Sequence, residues 1–597
     1  MFKFKLTYVA LAAALSSTVV YADPTTYTHL SGAKVVDIEA PNAAGVSHNL
    51  YREFNVDGNG LILNNSSSDI DHATFGNIAK NNNLTNGGAS VILNEVTSNK
   101  ASSLNGFIEV AGLKADVVIA NPNGITCSGC SFVNTNKAVL TTGQVNLTDE
   151  GAIGSYTITK GKVTIGEKGM DASTSYAALL ADAVAINGMV NAGSSVVGGG
   201  NFTFDNSTGV MTSAGKTATM LQMLNPVYSI DISSLGGIKA NSISMVGNNL
   251  GFGVRNKGSI TANSSLSMTN NGLLTNDGSI TSNGLLTSIA ASGNFTNNGT
   301  LTTKNLTKIT TYGALTNGGK GTISSTKQLV LSAVGNLQNS GTISATSNLI
   351  AASNGAITNN AGAKMTSNAQ ITATSLGNFT NAGTINGKNV ALNFVGTNFK
   401  NTGTISATSN VAVKSLNLDN TINTGEIYNL GSISGENIDM QTNGTLAQST
   451  DGKMTATDAF TAHSYWLNNN GAINASTITT DHSPVNNTGS IKGDNVSITS
   501  RLDIVNEGTI FSTGDMLLST QNKANINNYG VIQANGTLTL TAKKIVNSGR
   551  GCGWLKWSTC DIGTIRTNKL ILNSSHNYTN EMGGYQYFKI AEINTVL

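Results

Sequence analysis

Asn256-Lys257-Gly258-Ser259-Ile260, Asn276-Asp277-Gly278-Ser279-Ile280, Asn297-Asn298-Gly299-Thr300-Leu301, Asn339-Ser340-Gly341-Thr342-Ile343, Asn381-Ala382-Gly383-Thr384-Ile385 and Asn401-Thr402-Gly403-Thr404-Ile405 are one five-residue unit, Asn-x-Gly-x-(Ile/Leu), written again and again. Further copies start at Asn423, Asn469, Asn487, Asn506, Asn528 and, partially, Asn547, with looser ones at Asn317, Asn360 and Asn443. The mean spacing is near 21 residues, and a fixed period of this size signals a solenoid. Leucine-rich repeats have a similar period but need several Leu at fixed offsets, which this unit lacks. The expected fold is all-β, a right-handed parallel β-helix with about three strands per coil of ~21 residues and an N-terminal cap. Each coil then sits about 4.8 Å above the last, so fifteen coils make a rod section on the order of 70 Å. Identical positions stack. Ile260, Ile280, Leu301 and Ile343 are expected as an inward aliphatic column, and Asn256, Asn276 and Asn297 as an outer ladder of amides at a turn. Gly258, Gly278 and Gly299 are expected to supply positive φ at that turn.

Outward from the repeat, the composition agrees with a rod. Charged residues are 11% of the chain and aromatic ones 6%, with 66 Gly and only 5 Pro. Disorder is excluded by the regular return of Ile, Leu and Val. Residues 1–22 read as a secretory signal, with Lys3 and Lys5, an apolar run from Leu6 to Leu15, and the small-x-small pattern at Val20-Tyr21-Ala22. No run is long enough to be a transmembrane segment. Without Lys3 and Lys5 the basic and acidic residues balance at 32 each, which argues against nucleic acid as a partner. The expected organisation is a signal peptide over 1–22, a first β-helix domain over 23–250, repeats over 251–550 and a cap or anchor segment over 551–597. The segment 23–75 is expected to close one open edge of the solenoid. Tyr176 to Ile186 has the length of a short helix and the composition of a buried strand, and strand is expected because strands flank it closely.

Before the repeat, Asn121-Pro122-Asn123-Gly124-Ile125 lies between the apolar run Val117-Val118-Ile119-Ala120 and a second β-rich run. Proline fixes φ and Asn-Gly favours positive φ, so a tight turn between strands is expected. The four cysteines form two local pairs, Cys127/Cys130 and Cys552/Cys560. In an exported chain disulfides are the default, with metal and redox roles as alternatives. Trp554 and Trp557 lie inside the second pair. The six histidines are scattered with no paired spacing and are expected to be solvated. No catalytic constellation, metal set or cofactor motif is legible.

At residues 35–145 the chain resembles the two-partner secretion exoproteins, with filamentous haemagglutinin and the contact-dependent inhibition exoproteins as relatives. The resemblance rests on Ala40-Pro41-Asn42-Ala43-Ala44-Gly45, Val91-Ile92-Leu93-Asn94-Glu95-Val96-Thr97, Asn121 to Cys127, and Asn134-Thr135-Asn136-Lys137-Ala138-Val139-Leu140-Thr141-Thr142-Gly143. It implies a secretion domain that engages the periplasmic domains of an outer-membrane β-barrel transporter, and a chain that folds coil by coil outside a Gram-negative cell. It marks Asn121, Pro122, Asn123, Gly124 and Ile125, with Asn81, Asn83 and Leu84, as transporter-recognition or turn positions. Where the family has Asn-Pro-Asn-Leu, this chain has Asn81-Asn82-Asn83-Leu84, without the proline. The expected function is an adhesin whose rod binds a carbohydrate or protein receptor on a host or neighbouring cell. Toxin delivery needs a C-terminal effector of ~100 residues or more, and only 551–597 follows the repeat. A cytolysin and a polysaccharide-cleaving enzyme are further readings, the latter opposed by the scarcity of charge; the chain is not expected to be an enzyme. In some relatives a C-terminal disulfide tethers the rod to the transporter, a role open to Cys552 and Cys560 beside that of a stapled cap.

Overall fold

In a computed structural model, residues 23–220, 222, 227–521, 523–549, 563–574, 578–580 and 585–595 are described. They form a parallel β-solenoid. One coil shows the construction. Phe295–Asn297, Thr300–Thr303 and Leu306–Thr311 are its three strands. Each pairs in parallel with its counterpart one coil on: Leu315–Asn317, Thr322–Ser325 and Leu329–Ala333. Twenty-one of the short strands stack in one sheet, while the other two faces share a second, larger sheet. At 4.8 Å per coil the stack is on the order of 100 Å long. The signal segment 1–22 and Cys552, Cys560, Trp554 and Trp557 lie outside the described residues.

Strand alternation sorts the side chains. In Thr300–Thr303, Leu301 and Thr303 point in and Thr300 and Thr302 out. The aliphatic column is as expected: Ile238, Ile260, Ile280, Leu301, Ile323 and Ile343 are all at 0% exposure. Burying each such side chain contributes about 1.5–3 kcal/mol. A second inward column follows the short strands, and at Phe379 and Phe399 its rings stack with centroids 5.4 Å apart. Tyr176 to Ile186 is strand throughout its two ends, in Met170–Ala181 and Ala183–Ile186.

The asparagine ladder is on the other side of the wall from where the sequence suggests. In Leu274–Asn276 the pattern is in, out, in, so the amide shares the interior with Leu274. Asn256, Asn276, Asn297, Asn317, Asn339 and their successors are at 0–1% exposure. Each Nδ2 donates to the Oδ1 of the next rung at 2.7–2.8 Å and to a backbone carbonyl of that coil, as Asn276 does to Thr300 at 3.1 Å. The column is satisfied from within, which lets polar groups lie in a core. Replacing Asn381 by Ala orphans the Asn359 donor and the Asn401 acceptor that it now holds at 2.8 Å each. We expect Asn381→Ala to cost about 3 kcal/mol in urea unfolding, two unmade buried hydrogen bonds at 1–3 kcal/mol each, less relaxation.

The role of the glycines is also different. Gly258, Gly278 and Gly299 do not have positive φ. A Cβ on Gly278 would sit 2.2 Å from the carbonyl oxygen of Gly258, and one on Gly299 2.0 Å from that of Gly278. Glycine is needed here because the backbone of one coil rests on the next.

Two of the looser sequence copies, Asn360 and Asn443, and the regular copy at Asn423 are out of register with the ladder. Its rungs pass through Asn359, Asn429 and Gln448, not Asn360, Asn423 or Asn443. The step from Asn401 to Asn429 spans 28 residues because a loop bulges at 416–424, where Asn420 has φ 64°. Asn423 caps that loop, donating to Val395 O. Gln448 breaks the ladder: its Nε2 turns to Gly452 O and Ala472 O, leaving its Oε1 and Asn469 Oδ1 buried without partners. Gln448→Asn is expected to close the gap and stabilise the rod by about 1 kcal/mol, read as a higher urea midpoint.

Upstream, the same column is apolar. Leu104, Cys127, Ile165, Ile186 and Ile232 lie in direct register with Asn256. The change from aliphatic to amide thus falls near residue 250, inside one continuous stack. At the leading end Thr26–Thr28 pairs antiparallel with Lys34–Asp37, which already pairs in parallel with Leu61–Asn65. The antiparallel strand ends the ladder, as an edge requires, while the rest of 23–75 includes coil. Gln144–Leu147, Ile153–Ile158, Phe202–Asp205 and Met211–Ser213 form a separate antiparallel sheet that the repeat period did not foretell. Its Tyr156, Phe202 and Phe204 pack on Leu93, Val118 and Val139.

Candidate transporter-recognition turns

That outer sheet explains the unbroken apolar run before the Asn121 turn. Val117 and Ile119 face the solenoid core, and Val118 and Ala120 face the outer sheet. A strand buried on both faces reads as continuous hydrophobic sequence. The chain then turns over Asn121 to Gly124, with Gly124 N donating to Asn121 O at 3.1 Å and Gly124 at φ 114°.

The turn is held by its own amides. Asn121 is fully buried; its Nδ2 donates to Lys100 O and Ser102 Oγ, both at 2.9 Å, and its Oδ1 accepts from Asn123 N at 3.0 Å. Asn123 Nδ2 reaches Ser98 O at 2.7 Å. Asn81 to Leu84 repeats the design. Asn81 Nδ2 donates to Ile38 O and Asn64 O, its Oδ1 accepts from Asn83 N, and Asn83 Nδ2 reaches Ile38 O. Leu84 is buried and closes the turn with Leu84 N donating to Asn81 O at 3.2 Å. The two first asparagines correspond, as do the two third ones, and exposed Asn82 stands where Pro122 does. The missing proline therefore leaves the turn intact, because the hydrogen bonds set it. Asn121, Gly124, Ile125, Asn81 and Leu84 are buried, so only Pro122, Asn123, Asn82 and Asn83 present surface.

Just beyond, Cys127 and Cys130 are joined by a disulfide. Both are at 0–1% exposure; Cys127 lies in the interior column between Leu104 and Ile165 and Cys130 in register with Met170 on the next face, and Gly129 turns the intervening corner at φ 88°.

The histidines are not uniformly solvated, contrary to expectation. His48 Nε2 lies 2.8 Å from Glu95 and His72 Nε2 2.7 Å from Glu109; His72 also stacks on Phe75, and Phe75 on Phe107. His482 is wholly buried, its Nδ1 2.7 Å from Ser464 Oγ. Burial, then the neighbouring His463, pushes it down to about 3. The partners lie 18 to 47 residues away in the chain, so local spacing did not reveal them.

With this geometry in place, the sequence matches the family of the TPS secretion domain over residues 14–282. That stretch is a TPS secretion domain. Among similar proteins, "Toxin CdiA" of Yersinia pestis is 38% identical over 262 residues, covering 42% of this chain and 8% of the relative. "tRNA nuclease CdiA" of Yersinia mollaretii is 40% identical over 248 residues, covering 41% and 8%. The matched region thus spans less than a tenth of the length of these relatives. A solved structure, the filamentous haemagglutinin secretion domain, is 28% identical, covers 54% of this chain and 94% of its own, and superposes with a TM-score of 0.40. A TPS domain implies a partner transporter in the outer membrane, and TPS exoproteins cross the Gram-negative outer membrane by it. The TPS match extends beyond residue 250 to include the first amide rungs, Asn256 and Asn276.

Proposed function

We propose that this chain is an adhesin, exported by its transporter and displayed on or released from the cell surface, where the rod binds a carbohydrate or protein receptor. The observation that carries this reading is continuity. The column that begins at Leu104 in the TPS domain runs rung by rung into the repeats, so the domain that starts export and the surface that meets another cell are one stack. Solenoids fold by propagation between neighbours, which suits emergence from a pore leading end first. The outward faces of the repeats carry hydroxyls and amides at coil spacing, such as Thr302 and Ser324, and repeated weak contacts suit multivalent attachment. The chain is proposed to act by binding and not as an enzyme.

The test is export followed by adhesion. With a cognate transporter, the full chain should reach the medium or cell surface, and cells displaying it should adhere to target cells more than cells lacking it. Pro122→Ala with Asn123→Ala, which leaves the buried Asn121 in place, should lower the exported amount without changing the unfolding free energy in urea by more than about 1 kcal/mol. Normal export of this variant removes the turn from the recognition surface. Absence of adhesion by the exported chain defeats the adhesin reading.

The relatives favour one other reading, contact-dependent inhibition, since one is named a toxin and the other a tRNA nuclease. Growth inhibition of co-cultured cells by cells displaying this chain would support it. Release of reducing ends from polysaccharide would instead support the enzyme reading.

A further inference from the structure

We propose that the corner formed by Tyr465, His463, Asp481 and Arg501 is a saccharide-binding cleft for a neutral pyranose ring of a cell-surface glycan; this deepens the adhesin reading and rests on it. The corner lies where Lys453–His463 hands over to Trp466–Asn469 and, one coil on, Thr477–His482 hands over to Val485–Asn487. Between these turns is a cleft of about 250 Å³, bordered by Asn443 from the coil before and Arg501 from the coil after.

Its chemistry departs from the rest of the rod. The repeats bury most of their phenylalanines, with Phe295, Phe379, Phe394, Phe399 and Phe460 at 0% exposure. Here Tyr465 stands 58% exposed on the cleft wall. Beside it, in a chain with 11% charged residues, are a carboxylate and a guanidinium. Asp481 is half-exposed, with His463 Nδ1 3.4 Å from its Oδ2. The Arg501 side chain is exposed and makes no ion pair among the described residues.

A pyranose ring has an apolar C–H face and a rim of hydroxyls. The exposed Tyr465 ring meets the first, and a carboxylate acceptor beside a guanidinium fork meets adjacent hydroxyls of the second. One positive and one negative side chain leave the cleft with no net attraction for phosphate or sulfate, which favours a neutral sugar. The floor is fixed. Ser464 is buried, and its Oγ donates to Trp466 O at 3.0 Å and meets His482 Nδ1 at 2.7 Å. Ser464, held by the imidazole, therefore fixes the backbone that carries Tyr465, and a site held in place before binding loses less entropy on binding. A cleft of this size binds one ring weakly; many rods on one cell turn weak sites into firm attachment.

The test uses the full chain and an array of defined glycans, followed by NMR titration with the methyl pyranoside of the sugar that responds. Binding of at least one neutral glycan is expected, reduced tenfold or more by Tyr465→Ala and by Arg501→Ala, and unchanged by Tyr312→Ala, which removes an aromatic 71% exposed elsewhere on the rod. Urea midpoints of the first two variants should match the parent, because both side chains are exposed. No neutral glycan on the array, binding only to sulfated or acidic glycans, or binding indifferent to both substitutions overturns the cleft. If Tyr465→Ala loses the glycan but cells displaying it still adhere, the cleft stands and adhesion uses another surface. If the parent binds glycan but its cells do not adhere, the adhesin reading fails and the cleft stands.

Discussion

Lowering the pH from 7 to 4 should loosen the coils around His482 before the rest of the rod. An unfolded imidazole takes up its proton near pH 6.5. In the fold, burial and the neighbouring His463 hold His482 down to about 3. Both states are neutral at pH 7. Below 6.5 the unfolded chain binds a proton that the folded one refuses, so stability is lost progressively as the pH falls from 6.5 towards 3. At pH 4 the loss is roughly 3 kcal/mol, at 1.36 kcal/mol per pKa unit.

The tautomer sharpens the point. With Ser464 Oγ donating to Trp466 O, the imidazole proton sits on Nδ1, and Nε2 is a buried lone pair without a partner. A second proton there would be a buried, charged N–H donor without an acceptor. The titratable and charged groups around it are His463, Asp481 and Arg501, and of these only Asp481 could offset the charge. Because each coil contacts mainly its neighbours, the opening is expected to be local. Hydrogen exchange corrected for intrinsic rates should show residues 464–500 losing protection at pH 4 while residues 290–390 keep theirs. His482→Gln, which does not titrate, should remove the difference. Uniform loss along the rod, or an unchanged pH response in His482→Gln, would count against burial of His482 as the cause.

A methyl group at Gly299 should do at least as much damage at any pH. The Cβ of Gly299→Ala would lie 2.0 Å from Gly278 O and 2.9 Å from the carbonyl carbons of Asp277 and Gly278. These are backbone atoms, already committed: Gly278 O accepts from Thr300 N at 2.9 Å. To make room, one coil must lift from the other and break the ladder on two faces, at a cost of about 4 kcal/mol or more. Gly319→Ala is the control. It lies one coil further on, has no positive φ, and a Cβ there meets nothing within 4 Å; it should be neutral or slightly stabilising through the unfolded chain. Equal midpoints for the two variants would remove the stacked-glycine explanation. A severe loss only for Gly299→Ala separates packing from any general effect of removing glycine.

The same glycines mark how far sequence reasoning reaches. The period, the three strands per coil and the inward Ile260–Ile280–Leu301 column follow from chain-local facts: a 21-residue return and the two-residue alternation of a strand. The turn at Asn121 is legible in its residue types, a proline, two asparagines and Gly124 within four positions, although the groups its amides hold, Lys100 O and Ser98 O, lie some twenty residues earlier. What the sequence could not say is which neighbour a residue meets in the next coil. Gly299 looks like a turn glycine until Gly278 is laid beneath it. Asn276 looks like a surface amide until alternation is counted from Leu274 and Asn297 is found 2.7 Å from its Nδ2. Asn423 copies the motif perfectly at its first and third positions yet is not a rung, because an extra loop moves the register to Asn429.

His463, Asp481, His482 and Arg501 belong to the same class. They are ordinary polar residues about one coil apart in the chain, and only stacking makes them neighbours. Sequence by itself determined that this chain winds into repeating coils behind a secretion-type leading end, because those properties are written within single strands and turns. Tertiary structure alone decided which amides are core, which glycines bear the stack and where charge and aromatic surface converge. Those depend on the register between coils, a contact some twenty residues away that no local pattern encodes.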